Sequence, residues 1–256
     1  MSLPALVAGV PRHRVGSVSF LSTDVKAAVE ATCENAVSQT SGSHIHLLNA
    51  YSIALADSDE LYRGSVEGTA VNLPDGRPVT WISRLRHDPM PLQQVRGVRF
   101  FTHTIDHGQS HGIKHFLLGS RPETLERLRT NLLARYPNAQ IVGTYSPPFR
   151  PLSPAEVAAQ DHMISTSGAH IVWVGLGTPK QDLEAARLSA SLPVTAAAVG
   201  AAFDFVAGTV KESPEFLAHL GLEWAYRLAK EPRRLWRRYL FGNLRFIRAA
   251  VLNRKD

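Results

Sequence analysis

The chain has 256 residues, 44% of them hydrophobic, which is long enough to bury a substantial core and excludes a disordered or fibrous protein. A single cysteine, Cys33, excludes an intramolecular disulfide and a four-cysteine zinc site, and suits a reducing cytoplasm. The net charge of +6 is unevenly placed: the last thirty residues carry ten Lys and Arg against Glu231 and Asp256, so this tail is +8 and the rest of the chain is −2.

The opening MSLPALVAGVPRHR has no charged stretch ahead of a sustained apolar run, so no secretory signal is expected. A helix is predicted over about 23–39, capped by Thr23, followed by an apolar strand, HIHLLN (44–49), and a helix over about 50–63. The segment NLPDGRP (72–78) reads as a turn around Asp75 and Gly76. Strand KHFLLGS (114–120), helix 121–136 and strand QIVGTY (140–145) come next, then a helix over 153–167 announced by Ser153, Pro154 and Glu156. Strand HIVWVGLG (170–177), helix 179–191 and strand VTAAAVG (194–200) complete the alternation. The longest uncharged stretch, Leu188 to Phe203, is sixteen residues with Pro193 inside it, short of the ~20 that cross a bilayer as a helix. Repeated strand then helix implies an α/β fold, a Rossmann-like, mainly parallel sheet with helices on both faces. The composition shifts near Gly221, which divides the chain into a core over 1–221 and a basic, helical, amphipathic appendage over 222–256.

Ligands on such sheets bind beyond the carboxyl ends of strands, and three places there carry chemistry. Asn49 ends a strand and starts a helix, where its amide can cap the helix or meet a substrate. Asp75 is either a turn carboxylate or a general base. In GLGTPKQD (175–182) a glycine-rich turn opens a helix with Pro179 in its first turn and Lys180 at its positive end, an arrangement that can hold a diphosphate. It lacks the third glycine of a dinucleotide fingerprint and the GK[ST] of a P-loop. Two metal-like patterns are discounted: His103, His107, His111 and His115 recur every four residues but are interrupted by Gly108 and Gly112, and Asp57-Ser58-Asp59 lies at the polar end of a helix.

The tail interleaves its cations with Trp236, Tyr239, Phe241 and Phe246, a mixture suited to an anionic phospholipid surface. Aromatic and basic segments also bind RNA, so the residues leave open a membrane- or RNA-binding adaptor, and the α/β sheet leaves open a nucleotide-binding oxidoreductase.

Together, Asn49 with its helix, LPDGRPVTW (73–81), HFLLGS through SPPF (115–149), VGLGTPKQD (174–182) and the block from VGAAFDF through GLEW to EPRRLWRRYLFGNLRFI (199–247) resemble the WecG/TagA/CpsF glycosyltransferase family, glycosyltransferase family 26. The likeness covers about residues 14–250. It implies an inverting transfer of a sugar from a UDP-sugar to a polyprenyl-diphosphate-linked saccharide in cell-surface polysaccharide synthesis. The donor sugar is expected to be of the N-acetylmannosamine, uronic-acid or glucuronic-acid type. The family pattern makes Asp75 the catalytic base and assigns Asn49, Thr178 and Gln181 to the substrate. Gly177, Lys180, Arg96, Asp204 of AFDF, and Arg233 and Arg237 of the tail complete the expected binding set. The expected partners are the UDP-sugar, the lipid-linked acceptor and an anionic membrane, with no nucleic acid, no cofactor and no required metal. The expected location is the inner face of the cell membrane, as a peripheral protein. Three departures mark this chain: Leu47 stands where many members have threonine, Gln94 where they have arginine, and Asp182 where they have glutamate. The SPPF segment (146–149) places it nearer the exopolysaccharide glucuronosyltransferase branch.

Overall fold

In a computed structural model the chain is described over residues 9–214, 217, 221–230 and 232–252, without the side chains of 227, 234, 235, 237–241, 251 and 252. A hairpin of β1 (Arg12–Val15) and β2 (Val18–Leu21) precedes α1 (Val25–Ser38) and β3 (Ser43–Leu48). Helices α2 (Ala50–Ser58) and α3 (Glu60–Ser65) lead to β4 (Val71–Pro74), and α4 (Arg77–Leu85) and α5 (Gly97–Gly108) follow. Then come β5 (Lys114–Gly119), α6 (Pro122–Arg135), β6 (Gln140–Tyr145), α7 (Pro154–Ser167), β7 (Ile171–Gly175), α8 (Lys180–Ser191), β8 (Thr195–Ala198) and the short α9 (Ala202–Val206). The C-terminal segment forms α10 (Glu223–Lys230) and α11 (Pro232–Leu252).

Strands β3 to β8 make a six-stranded sheet in the order β4-β3-β8-β7-β5-β6, with every pairing parallel. The reason is visible in single strands. Along β7, Ile171 and Trp173 enter one apolar cluster while Val172 and Val174 enter another, so both faces are buried, as a parallel sheet requires. Trp173 anchors the first face, with Phe101 4.8 Å away edge-on and its Nε1–H donating to His115 Nδ1 at 3.1 Å. Burial, with a smaller contribution from His170, pushes His115 down to about 3, so the ring is neutral and accepts that bond.

Local differences from the sequence reading have local causes. The helix expected over 50–63 is two helices, because the Asp59 side chain caps a new start at Tyr62 N–H. The turn at Asp75 is preceded by a strand, β4, whose four residues pair with β3 from Ile45↔Val71 to Leu48↔Pro74. Residues Gly97–Gly108 are a helix despite their glycines, since Phe100, Phe101 and Ile105 bury its inner face.

Helix α11 is tied to the rest of the chain. Phe246, Ala249 and Ala250 join Val15, Phe20, Leu48 and Ile53 in an apolar cluster, and Arg86 donates to Arg14 O at 2.7 Å and Ala250 O at 2.8 Å. Its outer face carries Trp236, Leu244 and Ile247 at 43%, 63% and 57% exposure. Phe246→Ala should therefore lower unfolding stability by about 3 kcal/mol, whereas Ile247→Ala should stay within about 0.5 kcal/mol of wild type in urea denaturation. Equal effects would mean that α11 does not present these two faces.

Candidate active site

Asp75 and Asn49 leave neighbouring strands at the same height, because Leu48 pairs with Pro74. Asp75 N–H donates to Leu48 O at 2.9 Å. Its carboxylate Oδ1 accepts from Gly97 N–H, the first residue of α5, at 2.8 Å. That bond fixes the plane of the carboxylate and sets its negative charge at the positive end of the α5 dipole. A Cβ at Gly97 would stand 3.3 Å from Val199 O and 3.8 Å from Asp75 Oδ1, so a glycine is what allows the helix start to approach so closely. Asn49 caps α2, its Oδ1 accepting from Tyr51 N–H at 3.0 Å and Ser52 N–H at 3.4 Å, and its side chain also borders the cavity described next.

That cavity is lined by Asn49, Tyr51, Asp75 and Arg77 from the sheet edge and by Glu223, Trp224 and Asn243 from the C-terminal segment. Gly221, at φ +70°, lets the chain cross Trp81, since a Cβ there would come within 2.6 Å of the indole. Gln94 also borders the cavity and donates to Asp75 O at 2.7 Å. Arg96 precedes the first turn of α5 without a side-chain capping bond and pairs with Glu212 at 3.1 Å and Glu223 at 3.5 Å. The C-terminal segment thus reaches the Asp75 environment through Arg96 and Gly97. Glu223, Trp224 and Asn243 carried no assignment in the sequence; the GLEW motif, for the first two, and the LFGNLRFI run, for Asn243, were their visible signals.

The second group of expected residues lies at the β7–α8 turn. Gly177 has φ +78°, its N–H donates to Gln181 Oε1 at 3.0 Å, and Lys180 is exposed at the helix start. Gln181 is buried with its amide against Gly200, which follows β8, so Gly177, Thr178, Lys180 and Gln181 form one corner between two strand ends. Asp204 lies in the first turn of α9, after β8, and accepts from Thr209. Arg233 is exposed on the first turn of α11, and the side chain of Arg237 lies outside the described residues.

Below this corner runs a buried polar chain. Asp182 and His46, both sealed from solvent, are 3.0 Å apart; a carboxylate can only accept, so His46 Nδ1 carries the proton. Tyr62 O–H donates to the second Asp182 oxygen at 3.2 Å, and His46 Nε2 lies 2.8 Å from His44 Nδ1. Burial, then the neighbouring His46, pushes His44 down to about 3. These bonds bolt the start of α8 to β3, which Asn49 directly follows. The metal-like patterns resolve differently: His107 and His111 stack at 4.6 Å, His115 lies inside β5, and among the described residues no three His, Cys, Asp or Glu side chains are gathered to hold an ion.

Asp182→Ala would strip His46 and Tyr62 of a buried acceptor. It should cost about 3 kcal/mol or more in chemical denaturation, and a loss below about 1 kcal/mol would contradict the hydrogen-bonding scheme.

An α/β sheet with a carboxylate and a glycine-rich helix start at its carboxyl edge fits a sugar-transfer site, and comparison with known families agrees. A model of the WecG/TagA/CpsF glycosyl transferases matches residues 13–256, from the first hairpin to the end of the tail. The chain therefore belongs to the WecG/TagA/CpsF family and is a glycosyltransferase of cell-surface polysaccharide synthesis.

Proposed function

We propose that the chain transfers a sugar, with inversion, from a UDP-sugar to a polyprenyl-diphosphate-linked saccharide, with Asp75 as the general base. The observation that carries this reading is the Asp75 carboxylate, oriented by Gly97 N–H within a cavity shared by the sheet edge and the C-terminal segment. The acceptor hydroxyl gives its proton to Asp75 while its oxygen attacks the anomeric carbon, and the bond to UDP breaks on the opposite face. Departing diphosphate charge needs fixed positive partners. Lys180 and the N-terminus of α8 serve there, with Gly177 and Thr178 shaping the turn and Gln181 closing it. Arg96, Arg233 and Arg237 supply further cations toward the diphosphates of donor and acceptor. Asn49 and Asp204 take hydroxyl groups of the substrate. A donor bearing a carboxylate, such as a UDP-uronic acid, suits the additional arginines of this branch. No metal ion is assigned to the reaction.

The same reading gives α11 and α10 a second task, as an appendage that docks the enzyme on the inner face of the cell membrane. No helix among the described residues is long and apolar enough to cross a bilayer. Trp236, Leu244 and Ile247 nevertheless share an exposed stripe with Arg233 and Arg248, bordered by Arg245, which suits insertion among anionic headgroups.

A panel of UDP-sugars offered with a synthetic polyprenyl-diphosphate sugar should give UDP release with at least one donor, and silence across the panel would overturn the assignment. Asp75→Asn keeps the shape and the bond from Gly97 but cannot take the proton. Turnover should fall by about 10²–10⁴ while UDP binding, followed by thermal shift, stays near wild type. Replacing Arg233, Arg245 and Arg248 by Glu should abolish cosedimentation with anionic liposomes, because each juxtamembrane cation contributes about 1 kcal/mol. Wild-type binding should also weaken as salt rises; retained binding by the triple variant would refute electrostatic docking.

A further inference from the structure

Phe149 is the most exposed large hydrophobic residue among those described, at 98%, and it stands at the carboxyl edge of the sheet, in the segment joining β6 to α7. Its exposure is held in place. Arg150 N–H donates to Pro148 O at 2.8 Å, making a three-residue turn with Phe149 at the tip. Arg150 then grips Glu156 with two bonds, 2.8 and 2.6 Å, while Ser153 and Glu156 complete a reciprocal cap on α7. On the other side, Ser146 Oγ–H donates to Ser120 O at 2.8 Å, and Pro147, Pro148 and Pro151 restrict the backbone between. A loop built this way cannot readily fold its ring away from water.

A cation lies over the ring. Lys180 Nζ lies 4.8 Å from its centre, and Lys180 is the first residue of α8, at the turn assigned to the diphosphate. An exposed aromatic face beside a cation at a helix N-terminus is the pair of features that a nucleotide needs, a planar base on the ring and phosphate at the cation. The layout of the sheet agrees. Asp75 follows β4 and α8 follows β7, three strand spacings apart, about 14 Å, so a donor laid along the edge with its sugar near Asp75 brings its nucleoside end past Lys180.

We propose that Phe149 is the stacking platform for the nucleobase of the donor, with Lys180 passing from the ring to the diphosphate when the nucleotide binds. This inference rests on the nucleotide-sugar reading given above and adds the residue that grips the base.

The test is calorimetric binding of UDP and of inorganic diphosphate to the full chain and to Phe149→Ala, Phe149→Leu and Phe149→Trp, with thermal midpoints as the folding control. Phe149→Ala should weaken UDP binding about tenfold and leave inorganic diphosphate binding unchanged, since stacking acts on the base alone. Phe149→Leu should fail to restore UDP affinity and Phe149→Trp should restore it, with the new indole quenched on UDP addition. UDP binding by Phe149→Ala equal to wild type, or full rescue by leucine, would overturn stacking and leave the donor reading standing. Absence of UDP binding by the wild-type chain would overturn both.

Discussion

All six strands of the central sheet run in one direction, so every segment that leaves a strand does so along the same edge. Asn49, Asp75, the Gly177 turn and the start of α9 all lie there for that reason, although more than 150 residues separate the first from the last. Parallel pairing also forces both faces of the sheet to be covered. That explains why β7 and β8 contain no charged residue and why the polar groups that do enter, His44, His46 and Thr195, are hydrogen-bonded.

The strands most legible in the sequence were those buried on both faces, because a short unbroken apolar run such as IVWV suits a strand of a covered parallel sheet. What escaped was short or depended on distant partners. Strand β4 ends in Pro74 and offers four residues, too few to show a period, and its identity comes from the register with β3. Helix α5 hides its inner face behind histidines and two terminal glycines. The turn at Asp75 and the glycine-rich start of α8 were readable because turn and cap chemistry is local, while a role for either in the reaction was assigned only by the family resemblance. The lining by Glu223, Trp224 and Asn243 was not readable residue by residue, since the fold of α10 and α11 back over α2 and the β4–α4 turn rests on contacts distant in sequence; the family resemblance alone placed the tail at the substrate.

The C-terminal segment has two sides with different physical demands. Among the described residues, its inner side packs Ala249, Ala250 and Phe246 against the core, closed by Arg86. Its leading helix delivers Glu223 to Arg96, beside the Gly97 N–H that orients Asp75. Its outer side mixes cations with the exposed Trp236, Leu244 and Ile247. Under the proposed function, a segment that borders the cavity and also presents an exposed basic and apolar surface would link docking on a membrane to the site that receives a lipid-carried acceptor.

The most direct test of a single displacement driven by one carboxylate is the stereochemistry of the product. With a UDP-α-sugar donor that the chain turns over, nuclear magnetic resonance of the newly formed linkage should show the β anomer, since attack opposite the departing UDP inverts the anomeric carbon. A product that keeps the α configuration would contradict the assignment of Asp75 as the base of a one-step transfer.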